Sequence, residues 1–223
     1  MELFMPPGMG AELIYSFIII VCSLMVYFGT KELYELSSHK GIKYFRQAFL
    51  FFGLAYFFRS VIMYALFMFN FNEILEISPM FFGEGTLFLF LYFSSMAVFS
   101  LLYSVMWKKW NNDSKIKYVL HFLSFAIAFL SIISRNMMVR AGITLLLFTI
   151  VLFTIYEVYK EGKNKKKKNY LYTIYMLLFA FFLLNIFDIL IPNFLTEFKM
   201  FIYLASITIF LLILYKVLKR TGN

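Results

Sequence analysis

The chain has 223 residues, of which 62% are hydrophobic and 15% are charged, and its mean hydropathy is +0.81. Soluble domains have about 45–50% apolar and about 25% charged residues, so this composition excludes a water-soluble fold and predicts an integral membrane protein. The formal net charge of +9 does not indicate nucleic-acid binding, because in a membrane protein the positions of the charges carry the information.

Seven apolar segments follow one another along the chain. Each is predicted to be a transmembrane α-helix, because about 20 residues rising about 1.5 Å each span about 30 Å of hydrocarbon. The seventh reaches this length once its flanking residues are counted. The segments are residues 13–29, 47–69, 86–106, 118–134, 141–158, 170–190 and 200–215. Residues 1–223 are therefore predicted to form a single all-α domain, a bundle of seven transmembrane helices.

The first segment is expected to remain in the mature protein. It is preceded by Met-Glu-Leu-Phe-Met-Pro-Pro-Gly, which has no basic residue and no obvious small-residue cleavage site for a signal peptidase. The single cysteine, Cys22, lies in this segment, so no intrachain disulfide is expected. With one cysteine and two histidines in the chain, we expect no metal and no other cofactor.

The fourth and fifth segments are separated only by residues 135–140. We interpret them as a helical hairpin. One long bent helix is the alternative, and it would reduce the number of transmembrane helices to six.

Lysine and arginine residues are concentrated in alternate loops. Seventeen of the 21 follow the first, third, fifth or seventh segment, and only three lie on the opposite side. Basic loops stay in the cytoplasm during insertion, so the N-terminus is predicted to be outside and the C-terminus cytoplasmic. Trp107 and Trp110 fit interfacial anchors at the cytoplasmic end of the third segment. We expect a multi-pass protein of the cell membrane.

Arg59 lies near the middle of the second segment. A charge there costs about 2.5–3.5 kcal/mol on insertion scales, so the side chain is expected to face the bundle interior and to have a partner. Gly53, Tyr56, Ser60 and Tyr64 recur with it at helical spacing and form one polar stripe.

Asp188, in the sixth segment, is the predicted partner of Arg59. Asn185 lies three residues earlier on the same helical face. One hypothesis is a ligand or ion site in the outer half of the bundle, formed by Arg59, Asp188, Asn185, Tyr56 and Ser60. The other is a buried interhelical pair that orders the bundle without further chemistry.

Motifs of several membrane-protein classes are absent from the sequence. No lysine lies deep in a segment for a retinal Schiff base, and no Asn-Pro-x-x-Tyr sequence follows the pattern of G-protein-coupled receptors. No HExxH, GxSxG, CxxC or phosphate-loop motif occurs, and no enzymatic activity is expected. All four prolines lie outside the segments, which disfavours the broken helices of many transporters.

Two classes of function remain. The first is a sensor or receptor-like bundle that signals through a separate cytoplasmic protein. The second is a small transporter or channel for an ion or polar solute. The basic loops are expected to contact anionic lipid headgroups or an acidic cytoplasmic partner.

Overall fold

The computed structural model describes residues 9–68, 79–110, 114–134, 137–164, 170–190 and 198–221. Within these ranges the chain forms eight α-helices, and seven of them have 20 or more residues. They are α1 (Met9–Gly29), α2 (Lys31–Ser37), α3 (Lys40–Met68), α4 (Pro79–Met106), α5 (Ser114–Ile133), α6 (Met137–Asn164), α7 (Tyr170–Leu190) and α8 (Lys199–Thr221). Each predicted segment overlaps one long helix, and the all-α prediction is confirmed.

The short helix α2 is not among the predicted segments. It continues almost directly from α1, where the Thr30 hydroxyl donates to the Val26 carbonyl at 2.7 Å. It ends at Ser38, which has a left-handed backbone with φ of 50° and donates its N–H to the Tyr34 carbonyl. That left-handed residue lets the chain turn back into α3.

Five described helices are long and apolar enough to cross a membrane, and they indicate a membrane protein. These stretches are Gly10–Ser37, Gly83–Met106, Lys115–Ile133, Ala141–Glu161 and Lys199–Lys219. In α7 the described apolar stretch, Leu171–Ile186, is shorter. Helix α3 is not in either group, and its sequence includes Arg46, Gln47 and Arg59. The fourth and fifth predicted segments form separate helices, α5 and α6.

Six of the long helices form a closed ring in the order α1, α3, α4, α6, α7, α8 and back to α1. The most extensive packing is between α3 and α4, followed by α1 and α3. Helix α5 lies outside the ring, mainly against α4. Tyr15 packs on Tyr203, and Gly29 lies against Leu218, so α1 and α8 run in the same direction.

Aromatic side chains fill the inside of the ring. The largest buried cluster includes residues from α1, α3, α4, α6, α7 and α8. Large apolar side chains also cover the outside; Phe17, Phe122 and Leu204, for example, are 66%, 71% and 63% exposed. An apolar exterior around a packed interior is expected for a bundle that is solvated by lipid, where the backbone groups are satisfied within each helix.

Candidate functional site

A group of polar side chains from three helices meets near one end of the ring. Helix α1 contributes Glu12 and Tyr15, α3 contributes Tyr56 and Arg59, and α7 contributes Asn185. Within α1 and within α3 the two residues are three positions apart, which places them on one helical face. We call these five residues the polar cluster.

Glu12 and Arg59 form an ion pair between α1 and α3. The Arg59 Nε and one terminal guanidinium nitrogen both donate to Oε1 of Glu12, at 3.0 Å and 2.7 Å. The side chains of Arg59 and Glu12 remain 19% and 16% exposed. The pair is therefore largely buried, and such charge-assisted bonds are among the stronger ones in proteins.

Hydroxyl groups extend the cluster from α1 to α7. The Tyr56 hydroxyl donates to Oδ1 of Asn185 at 2.9 Å, and the Tyr15 and Tyr56 hydroxyls are also 2.9 Å apart. Because a tyrosine hydroxyl has one proton, Tyr15 must be the donor in the second bond. Asn185 in turn donates its amide N–H to the Phe181 carbonyl at 2.9 Å. The hydrogen bonds thus have one direction, from α1 through α3 to α7.

Aromatic rings enclose the buried part of the cluster. Tyr15 is 2% exposed and stacks on Tyr203 of α8, with ring centroids 4.7 Å apart. The Arg59 guanidinium carbon is 5.9 Å from the centroid of the Tyr56 ring. The two tyrosine rings are therefore packed inside the bundle, against Tyr203 and the Arg59 guanidinium, while their hydroxyls take part in the hydrogen bonds of the cluster.

A layer of phenylalanine rings separates the polar cluster from the other end of the ring. Phe49, Phe52, Phe181 and Phe210 are all 3% exposed or less. The centroids of Phe181 and Phe210 are 4.6 Å apart, and Phe52 is 6.3 Å from Phe181 and 6.2 Å from Phe210. We call these four residues the aromatic layer. The four rings therefore pack closely against one another inside the ring of helices.

Below the aromatic layer, a second polar contact joins α4 to α7. The hydroxyls of Ser104 and Tyr175 are hydrogen-bonded, and Ser104 also donates to the Leu101 carbonyl at 2.7 Å. Tyr175 is 2% exposed. The two hydroxyls satisfy each other inside the bundle, so this contact is best explained as interhelical packing.

At the end of the ring opposite the polar cluster, Lys109 forms an ion pair with Glu157 of α6. The Glu157 residue is 7% exposed, while the Lys109 side chain is 46% exposed. At the same end of the ring, Arg46 of α3 donates to the Tyr27 carbonyl at 3.0 Å and lies over the Tyr27 ring. An ion pair between different elements of the bundle therefore lies near each end, Glu12–Arg59 at one end and Lys109–Glu157 at the other.

The structure brings three of the predicted site residues together: Arg59, Tyr56 and Asn185. Ser60 donates to the carbonyl of Phe57 in its own helix, and no described contact joins it to the cluster. The backbone of Asp188 lies in α7, but its side chain is outside the described residues. The pairing of Arg59 with Asp188 therefore stays a prediction, and the observed carboxylate partner is Glu12.

Glu12 was not among the site residues that the sequence predicted. A signal was nevertheless present. Tyr15, Ile19, Cys22 and Val26 are spaced by four, three and four residues and are all buried. Continuing this spacing three residues back places Glu12 on the same interior face of α1.

Among the described residues, no three His, Cys, Asp or Glu side chains are grouped as a metal site requires. The polar cluster can pair charges and can donate and accept hydrogen bonds.

No protein-family model matches this chain, and no solved structure matches it. One curated relative does match along almost the whole length. It is a protein of Archaeoglobus fulgidus described as an uncharacterized protein, 32% identical over 223 aligned residues. The alignment covers 95% of this chain and 92% of the relative. Similarity of this extent means that the chain belongs to the same family as this Archaeoglobus fulgidus protein.

Proposed function

We propose that this protein is a sensor or receptor-like membrane bundle without enzymatic activity. It binds a small polar ligand at the polar cluster and acts through a separate cytoplasmic protein. The observation that carries the proposal is the position of the Glu12–Arg59 pair, which is partly exposed at one end and backed by the aromatic layer. A site closed on one side suits recognition better than passage.

The proposal includes seven membrane crossings. The five apolar helices support it directly, and α7 has a shorter described apolar stretch. Helix α3 lies between α1 and α4 in the ring, where its arginines face protein. Arg46 bonds to a carbonyl of α1, and Arg59 pairs with Glu12, which reduces the cost of each charge within the bundle.

The orientation in this proposal has the polar cluster outside. Most lysines of the described helix ends lie at the opposite end, in or next to α2, α4, α5 and α6. Basic residues are retained in the cytoplasm during insertion, which supports a cytoplasmic assignment for that end.

Anionic lipid headgroups are the proposed partners of the same basic end. Lys108 lies 5.5 Å from the centroid of the Trp107 ring, and Lys117 lies 5.7 Å from that of Tyr44. Lysines held beside interfacial aromatic rings are well suited to bind phosphate groups at the membrane surface.

Purified protein in liposomes separates the two classes of function. A sensor gives no flux of ions or small polar solutes in liposomes. In a separate co-purification experiment, a cytoplasmic protein is recovered with the wild type but not with the double variant Lys115→Gln/Lys117→Gln. Glu157→Gln serves as a control, because it alters a buried carboxylate at the same end without removing an exposed lysine. Solute flux that is abolished by Arg59→Gln contradicts the sensor proposal.

A transporter is the second candidate, and one observation favours it. The hydroxyls of Ser16 and Ser23 on α1 are buried and have no hydrogen-bond partner among the described residues. An unsatisfied buried hydroxyl is unfavourable, and a polar solute passing through the ring would satisfy it transiently. The liposome experiment decides between the two candidates.

A further inference from the structure

Arg46 of α3 lies at the corner where α1, α2 and α3 meet, between two tyrosine rings. Its guanidinium carbon is 4.8 Å from the ring centroid of Tyr27 in α1 and 5.7 Å from that of Tyr34 in α2. Its Nε donates to the Tyr27 carbonyl at 3.0 Å, in the last turn of α1. A cation is favoured there, because the C-terminal end of a helix carries partial negative charge. Contacts with both neighbouring helices therefore position the Arg46 side chain.

Most of the hydrogen-bond donors of Arg46 are not used by the described protein. A guanidinium has five N–H groups, and Arg46 forms one hydrogen bond and no ion pair with the residues that the structure describes. The acidic residues closest to it in sequence, Glu32 and Glu35, are exposed on α2, and Glu35 pairs with Lys31 at 3.7 Å. The positive charge of Arg46, which is only partly exposed, thus has no anionic partner among the described residues.

The depth of this corner matches the boundary between the hydrocarbon and the lipid headgroups. Tyr27 lies about 26 Å along α1 from Gly10, the first residue of the described apolar stretch, and the hydrocarbon is about 30 Å thick. Tyr34 lies about two turns further along, in α2. Tyrosine is enriched at this boundary. The two rings therefore place the Arg46 guanidinium at the level of the lipid phosphates.

A phosphate group fits the unused side of the guanidinium. With Nε bonded to Tyr27, the two terminal nitrogens, Nη1 and Nη2, form a fork that can donate parallel hydrogen bonds to two phosphate oxygens. Lys43 lies one turn earlier on the same face of α3, nearer the end of the bundle, and adds a second positive charge. Two positive charges favour a headgroup with net negative charge over a zwitterionic one, whose own ammonium group offsets its phosphate.

We propose that Arg46 binds the phosphate of an anionic phospholipid, in the leaflet at the basic end of the bundle. This inference rests on the proposed function, since it names the site at which the lipid partner binds. The phosphate accepts hydrogen bonds from Nη1 and Nη2, while Nε stays bonded to the Tyr27 carbonyl. The bound lipid contacts the corner of α1, α2 and α3 and stabilises the folded protein, because it binds the folded state alone.

Thermal unfolding in nanodiscs of two compositions tests the site. One contains phosphatidylcholine alone, and the other contains phosphatidylcholine with about one-fifth phosphatidylglycerol. We expect phosphatidylglycerol to raise the melting temperature of the wild type by about 4 °C, and Arg46→Gln to lose at least half of this increment. Loss of the bond to Tyr27 alone lowers the melting temperature equally in both compositions and leaves the increment intact, so the increment separates lipid binding from capping of α1.

Arg46→Lys is the second variant, and it is decisive if Arg46→Gln does not fold. It keeps the positive charge but cannot form the two-pronged bond, so it also loses at least half of the increment. Lys160→Gln is the control, because it removes an exposed charge of α6 at the same end and should keep the full increment. A full increment in either Arg46 variant, an equal loss in Lys160→Gln, or no increment in the wild type overturns the proposal.

Inorganic phosphate distinguishes a lipid headgroup from a soluble anion. At constant ionic strength, 10 mM phosphate (about the upper cellular range) should shift the wild-type melting temperature in phosphatidylcholine nanodiscs by less than about 1 °C. A shift as large as that with phosphatidylglycerol overturns the assignment to lipid. Failure of the sensor proposal is seen separately, as solute flux or as a missing cytoplasmic partner, while the increment and its dependence on Arg46 are retained.

Discussion

The Tyr56 hydroxyl donates to Oδ1 of Asn185 at 2.9 Å and thereby links α3 to α7 across 129 positions of sequence. Since that proton is used, Tyr56 can only accept from Tyr15. One side chain therefore satisfies two others, on different helices. Because Tyr56 takes part in both hydrogen bonds and Tyr15 in only one of them, removing the two hydroxyls should have different effects on stability.

Tyr56→Phe is expected to destabilise the protein more than Tyr15→Phe. The first change removes the hydrogen bond to Tyr56 from both the Tyr15 hydroxyl and the Asn185 carbonyl, whereas the second keeps the Tyr56–Asn185 bond. Interhelical hydrogen bonds in membranes average about 0.6 kcal/mol, so we expect losses of about 1–2 and about 0.5–1 kcal/mol. Thermal unfolding in nanodiscs measures both, and a larger loss for Tyr15→Phe contradicts the assigned direction.

Glu12 and Arg59 are expected to be energetically coupled. Removing one charge takes away the ion pair of the other, so Glu12→Gln and Arg59→Gln together cost less than the sum of the single changes. The pair is largely buried, and we expect a coupling of about 1–2 kcal/mol, between the values for exposed and fully buried pairs. A double-mutant cycle of unfolding free energies measures it.

The same cycle with Asp188→Asn and Arg59→Gln tests the pairing that the sequence predicts. Energetic coupling between Asp188 and Arg59 means that the Arg59 guanidinium is shared between the Glu12 and Asp188 carboxylates. Strict additivity means that Asp188 and Arg59 do not interact, and it leaves Glu12 as the acidic partner.

Gly41→Ala is expected to destabilise the contact between α3 and α4. A Cβ atom at this position would lie 2.7 Å from the backbone oxygen of Ser104, which cannot move without shifting α4. We expect a loss of about 1–3 kcal/mol. Gly142→Ala is the matched control, because nothing lies within 4 Å of a Cβ there and the change should be neutral or stabilising by up to about 1 kcal/mol. Equal effects of the two substitutions in thermal unfolding would contradict the close approach.

Single cysteines in a Cys22→Ser background test the orientation. Cysteines that replace Glu76 or Glu84 should react with an impermeant reagent in intact cells, because the lysine distribution predicts these positions outside. Cysteines that replace Ser114 or Asn164 should react only after the cells are opened. Reaction at residue 164 in intact cells reverses the orientation.

The helices were predictable because their signal is local. A run of about 20 apolar residues is sufficient to predict a membrane helix, and each of the seven runs overlaps a long helix of the structure. Arg59 was also predictable as an interior residue, since a charge within such a run needs a partner. Helix α2 was missed, because its sequence, Lys-Glu-Leu-Tyr-Glu-Leu-Ser, is too short and too polar for a membrane segment.

The acidic partner of Arg59 was harder to predict from the sequence. Asp188 was favoured because it lies inside an apolar run, whereas Glu12 lies at the edge of one. Which acid meets Arg59 depends on helix order, and the order of the ring is not encoded in hydrophobic periodicity. Because α1 and α3 are neighbours in the ring, Glu12 lies within reach of Arg59.

The contact between α1 and α8 has a consequence for the order of events during biosynthesis. Tyr15 stacks on Tyr203, and Gly29 lies against Leu218, so the first described helix completes its packing only against the last described one, which is synthesised much later. Until α8 enters the membrane, one side of α1 is exposed to lipid or to the insertion machinery. Contacts between residues so far apart in sequence form late. A ribosome that stalls before residue 199 would therefore leave an open arc of helices, with Tyr15 lacking its stacking partner, as a substrate for membrane quality control.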